Sequence, residues 1–308
     1  MTNRSALMIA LITSLTWGLT GIFVRLLPGI SPLAITAVRM AVALLCALPV
    51  AAYGHTGMTR RTGGLASALR RPAAYVLALF MVCYYLLATS AFQRAPVAEV
   101  GLLISTQPLF VLAIRSLRSL SAFGYGREER PSLRETGGAL LAIGGMAIIL
   151  GPGMSAAGSL TEQHLIGSLM ALGAAALSAA YAYLYRRLAE QGNAPDTNAV
   201  FLLTFALGSA ILFAALVAMP SSLPAPSLEN VALLLGLGVV STAVPTIGFS
   251  MVSRRLPAIV TATISLLVPV FGGLSAFLVL GERLSPSFLV GCVPVLGGIA
   301  MIVCRRRG

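Results

Sequence analysis

Arg39 is the residue whose type and position first ask for chemistry. It lies about seven residues into an apolar run from Pro32 to Ala52, where a charge costs on the order of 3 kcal/mol or more unless it is compensated. Three arrangements meet that demand: a structural pair or packing anchor, contact with the carboxylate of a substrate, or snorkelling of the long stem toward the helix end. Glu99, the acid placed within another apolar run, is positioned either to pair with Arg39 or to titrate and couple protons.

Polar residues recur around these charges at helical spacing. Thr13, Thr16, Trp17 and Thr20 follow i, i+3, i+4, i+7 and share a face, as do Ser178, Tyr181 and Tyr185, and Tyr85, Thr89 and Gln93, with Thr246, Ser250 and Arg254. Stripes of this kind line a wet cavity between helices, or hydrogen-bond across helices and back to their own carbonyls. The cavity reading assigns substrate contact to Trp17, Thr20, Arg39, Tyr85, Thr89, Tyr181, Tyr185, Thr246 and Ser250. Trp17 and Tyr85 fit it best, being too large for close helix packing. Pro108 and Pro269 interrupt two further runs, where they permit kinks that gate a path or that merely shape the bundle. Gly137, Gly144 and Gly145, echoed by Gly291, Gly297 and Gly298, allow close contact within the bundle or between two copies of the chain.

Catalytic chemistry finds no comparable support. There is no DxxD, no HExxH and no pair of acids within the apolar runs, and no nucleophile stands beside a base. His55 and His164 fall in connectors, and Cys46, Cys83, Cys292 and Cys304 show no metal-binding spacing. No catalytic or metal-ligating residue is therefore assigned, and no filter loop or ring of acids marks a channel.

The elements that position these residues must be membrane helices. Of 308 residues, 57% are hydrophobic and 10% charged, where soluble domains carry about 25% charged, and mean hydropathy is +0.92. Ten apolar runs are long enough to cross a bilayer: Ala6 to Val24, Pro32 to Ala52, Ala73 to Phe92, Val97 to Ile114, Ser132 to Leu150, Leu165 to Tyr185, Ala199 to Ala218, Val231 to Val252, Ala258 to Leu280 and Pro286 to Val303. The first lacks a cleavage site and reads as a crossing rather than a removable signal. Every basic residue is Arg, and 17 of the 21 fall in or at the edge of alternate connectors and in the termini if both ends of the chain face the cytoplasm. The net charge of +12 thus marks orientation in a cell (inner) membrane and not a nucleic-acid surface.

The chain also repeats itself. A shift of 161 residues sets Gln93 to Pro108 on Arg254 to Pro269 and aligns Pro96 with Pro257 and Pro108 with Pro269. A shift of 153 aligns Glu129-Arg130 with Glu282-Arg283 and Gly144-Gly145 with Gly297-Gly298, so that the first half carries eight extra loop residues. Five helices per copy is an odd number, and residues 1–152 and 153–308 therefore enter the membrane from opposite sides as an inverted repeat. The fold expected is all-α, with ten transmembrane helices in two five-helix halves. Two such halves around a midplane site are the architecture of alternating access.

The TWG of Thr16 to Gly18, Arg39 with the small apolar residues that follow it, Pro108, Pro269 and the GERLS of Gly281 to Ser285 resemble EamA-type permeases of the drug/metabolite transporter superfamily. The resemblance runs over essentially the whole chain, with EERPS standing in the first half where the second has GERLS. It implies export or exchange of small organic metabolites, amino acids or drugs from a central cavity, with no metal or organic cofactor. Uptake or facilitated passage of such a solute is the alternative. The partners expected are a small-molecule substrate and the lipid bilayer, in a monomer or homodimer.

Overall fold

The structure, a computed structural model, describes residues 3–53, 69–120, 132–155, 162–218, 227–253, 267–282 and 284–303, and among these it is helical without strands. Helices α1 (Asn3–Gly18) and α2 (Thr20–Arg25) follow one another across a turn at Leu19, and α3 covers Pro32–Tyr53. Next come α4 (Pro72–Arg94), α5 (Val97–Ile104), α6 (Gln107–Leu120) and α7 (Leu133–Ser155). The second half holds α8 (Glu162–Glu190), α9 (Thr197–Ala218), α10 (Leu228–Gly238), a π turn at Val239–Ala243, and α11 (Val244–Ser253). It ends with α12 (Leu267–Ser275), a π turn at Ala276–Leu280, and α13 (Pro286–Val303).

Seven described segments are long and apolar enough to cross a membrane: Ser5–Arg25, Pro32–Pro49, Pro72–Arg94, Val97–Leu117, Glu162–Glu190, Thr197–Ala218 and Leu228–Phe249. Leu267–Leu280 and Pro286–Ile302 are shorter apolar helices, and the expected ninth run, which began at Ala258, lies partly outside the described residues. The outer surface is apolar: Leu45, Leu278, Val290 and Val293 are each more than 60% exposed, an arrangement suited to hydrocarbon and costly in water.

Local chemistry sets where the helices start. Pro32, Pro72 and Pro286 open α3, α4 and α13, where a missing N–H costs nothing and φ is already helical. Ser31 Oγ accepts from the Ala34 N–H and Asp196 Oδ1 from the N–H groups of Asn198 and Ala199. Ser132 and Glu135 form a reciprocal box at α7: Ser132 Oγ accepts from the Glu135 N–H, and Glu135 accepts from the Ser132 N–H. Gly281 ends the last π turn at φ +64°, a left-handed cap that favours glycine.

Helix packing has a two-fold pattern. The pairs α3–α9 and α7–α13 each join a helix of the first half to its counterpart in the second, and α5, from the fourth apolar run, packs on α12, from the ninth. The contact of α4 with α8 is matched by that of α11 with α1, of α6 with α8 by α12 with α1, and of α4 with α9 by α10 with α3.

The closest of these pairings, α7 with α13, depends on glycine. A Cβ on Gly145 would stand 2.7 Å from the Gly291 carbonyl oxygen, and one on Gly138 equally far from that of Gly298. Gly138 and Gly145 thus share the face that carries Ala142 and Ile149 against α13. Gly144 meets nothing within 4 Å and Gly137 only the tip of Met301, so these two stand off the contact that the sequence had assigned to them.

Candidate substrate site

Arg39 is 1% exposed, at the meeting of α3, α4 and the π turn after α10. Its Nε and Nη2 donate to Thr242 Oγ1 at 3.1 and 2.9 Å, and Nη1 donates to Thr89 Oγ1 at 3.3 Å. The guanidinium carbon lies 4.8 Å from the centre of the Tyr85 ring, a cation–π distance, and Tyr84 packs edge-on against that ring at 5.2 Å. Thr242 Oγ1 donates in turn to the Leu237 carbonyl at 2.9 Å, five residues back, which the wide π turn permits. Pro245 accounts for the turn: it has no N–H for the carbonyl of Ser241, and its ring would clash there in a regular helix.

This geometry corrects two sequence expectations for Arg39. The side chain does not snorkel, because neighbouring helices enclose it completely. Nor does it pair with Glu99, which is held elsewhere, and among the described residues no carboxylate forms an ion pair with it. Hydroxyls take three of its five N–H groups and a ring lies beside the guanidinium, while no described carboxylate neutralises its charge, and a desolvated charge in that condition favours an anion.

Of the other predicted residues, Tyr85, Thr89 and Thr246 join Arg39. Thr246 is 3% exposed and turns its hydroxyl toward that of Tyr85, while the buried hydroxyl of Ser241 has no partner among the described residues. Thr20 is buried, and Trp17, half-buried, packs its ring 5.4 Å from that of Phe249, joining α1 to α11. Thr16 instead follows the alternative reading, bonding the carbonyls of Ile12 and Thr13 in its own helix. Tyr181 stacks on Tyr185 at 6.0 Å. The Tyr185 hydroxyl, however, meets the Pro195 carbonyl and Thr197 Oγ1 at 3.1 and 2.7 Å, so it ties α8 to α9. The side chain of Ser250 lies outside the described residues.

Pro108 occupies the second position of α6, after a break at Ser105 and Thr106, where no N–H is needed. Pro269 packs at Gly101 across the contact between α5 and α12. Ser241 and Thr242 were missed as site residues; Pro245, in the sequence STAVP, marked the helix break on which they sit but not the role of either side chain.

A second polar cluster bridges the two halves. Glu99, 7% exposed in the first turn of α5, accepts from Ser168 Oγ at 2.6 Å and meets His164 Nε2 at 2.8 Å, both on α8. His164 thus lies in a helix and not in the connector expected for it. Glu282 of GERLS accepts from the Val97 N–H at 3.0 Å and lies 3.6 Å from Arg25 Nε, an acid at the N-terminus of α5 supplied by the other half. Gln93 closes the same end by donating to the Ile30 carbonyl at 2.8 Å.

Comparison with known proteins matches this chain to the EamA-like transporter family over residues 4–151 and 165–304. An uncharacterized protein of Pseudomonas aeruginosa is 34% identical over 191 residues, a stretch that spans 60% of either chain. A solved crystal structure aligns over 100% of both chains with a TM-score of 0.66 at 20% identity, a likeness of fold.

Proposed function

Since the chain belongs to the EamA-like transporter family, within the drug/metabolite transporter superfamily, and is a multi-pass membrane transporter, we propose that it is a secondary carrier of small organic metabolites. It exports or exchanges amino acids or related compounds, drugs among the candidates, by alternating access between two inverted five-helix halves, residues 1–152 and 153–308. The ten helices lie in the cell membrane with both termini in the cytoplasm. The observation that carries the reading is the two-fold packing pattern, in which the main helix contacts survive exchange of the halves. The family match, which covers 4–151 and then 165–304, adds weight.

On this reading Arg39 receives the carboxylate of the substrate. Thr89 and Thr242 hold its guanidinium in place from opposite halves, Ser241 offers a buried hydroxyl, and Trp17, Thr20, Tyr85, Tyr181 and Thr246 line the path. Movement at α5–α6 and α12, near Pro108 and Pro269, gates it. The test is counterflow in proteoliposomes against a panel of amino acids, nucleosides, sugars and cationic drugs. Accelerated exchange of a carboxylate-bearing compound is expected, and absence of flux for every compound, with folded protein, would overturn the carrier reading.

A further inference from the structure

We propose that Glu99 and His164 form a proton-binding site that links closure of one end of the transporter to uptake of a proton. The proposal rests on the two-halves reading above, because Glu99 belongs to the first half and His164 to the second. The cluster has a gradient of depth: the Glu99 side chain is 10% exposed and that of His164 25%, while Ser168 is 3% exposed. The surface therefore reaches the pair through the imidazole, the side chain whose ordinary titration range spans neutral pH. Ser168 fixes one carboxylate oxygen and leaves the other to His164.

The surrounding charges leave the pair free to respond. Arg94, at the end of α4, directs Nη1 to the Ser90 carbonyl at 3.0 Å and sits 3.9 Å from the Met170 sulfur. Glu282 is held by Arg25 and by the Val97 N–H, and Glu162 opens the helix that carries His164. Among the described residues, His164 is the base within bonding distance of Glu99.

The proton balance is simple. With the halves joined, water delivers a proton to the imidazole, an N–H bond forms, and imidazolium stands against carboxylate across 2.8 Å. When the halves part, His164 loses its counter-charge and returns the proton to water, leaving neutral imidazole and a solvated carboxylate. Closing takes up one proton and opening releases one, so acid favours the closed form and alkali the open one.

Spin labels at Leu26→Cys and Leu165→Cys test this. Both positions are more than a third exposed, one in each half, and the four native cysteines would be replaced. Distances between the labels are measured from pH 5 to 9 in full-length protein in nanodiscs. The expected result is an open-to-closed ratio that rises up to tenfold per pH unit, the limit for one linked proton, and loses that dependence in Glu99→Gln and in His164→Gln. A pH-independent distance in the parent protein, or a dependence that persists in both variants, would overturn the proposal. Neither outcome bears on counterflow, so failure here and failure of the carrier reading are separate results.

Discussion

Thr242 holds two N–H groups of Arg39 on one oxygen because its own proton goes to the Leu237 carbonyl, which leaves both lone pairs outward. Thr242→Val removes both hydrogen bonds at once and is expected to cost about 2 to 3 kcal/mol, read as a lower unfolding temperature in detergent, while Thr242→Ser stays near the parent. Arg39→Lys keeps the charge and loses the planar fork. That variant should reach the membrane and bind a carboxylate-bearing substrate about tenfold more weakly, a change of about 1.4 kcal/mol. Unchanged transport would remove Arg39 from the substrate site. Tyr185→Phe, which cuts the tie to Pro195 and Thr197, should cost about 1 kcal/mol and leave the KM of transport unaltered. Arg39 was legible in the sequence because a lone charge in an apolar run demands an account. Thr242 was not, because a threonine in such a run has the same local signature whether it bonds its own helix or a distant arginine.

Helix starts were open to reading because proline, serine and aspartate act locally. Breaks within helices were harder, since a uniformly apolar stretch has no hydrophobic period to interrupt. The turns at Leu19 and Ser105–Thr106 fell inside runs that had seemed continuous, and only Pro245 advertised the π turn that it causes. Pro245→Ala restores the missing donor and lets the segment relax toward regular helix. Relaxation would rotate Thr242 by a sizeable part of the ~100° per residue of an α-helix and separate it from Arg39. The expected readout is loss of most carboxylate flux with folded protein retained. The interface of α7 and α13 permits a sharper comparison. Gly145→Leu sets a side chain against the α13 backbone and should lower the yield of folded protein severely, whereas Gly144→Leu, in open space, should be close to neutral.

At the scale of the molecule, prolines, glycines and charges that recur in order suggested a repeat, and the helix contacts follow a two-fold pattern compatible with it. The polar bridge of Glu99, His164 and Ser168 was hidden, since nothing in the spacing tells which helices of opposite halves will touch. Orientation has its own check. A membrane-impermeant thiol reagent added outside intact cells should label Leu228→Cys, which is 88% exposed, and should reach Gln191→Cys only after lysis, if the proposed topology sets the two on opposite faces. The halves are nevertheless not identical in backbone. The first span bends at Leu19 while its counterpart, α8, runs unbroken through Ala180, and the π turn at Val239–Ala243 has a regular helix, α4, as its equivalent. Giving each half the backbone of the other would straighten the first span, bend α8 near Ala180 and move the widened turn into α4. On the carrier reading proposed above, the difference between the two halves is a draft of the conformation that faces the other side.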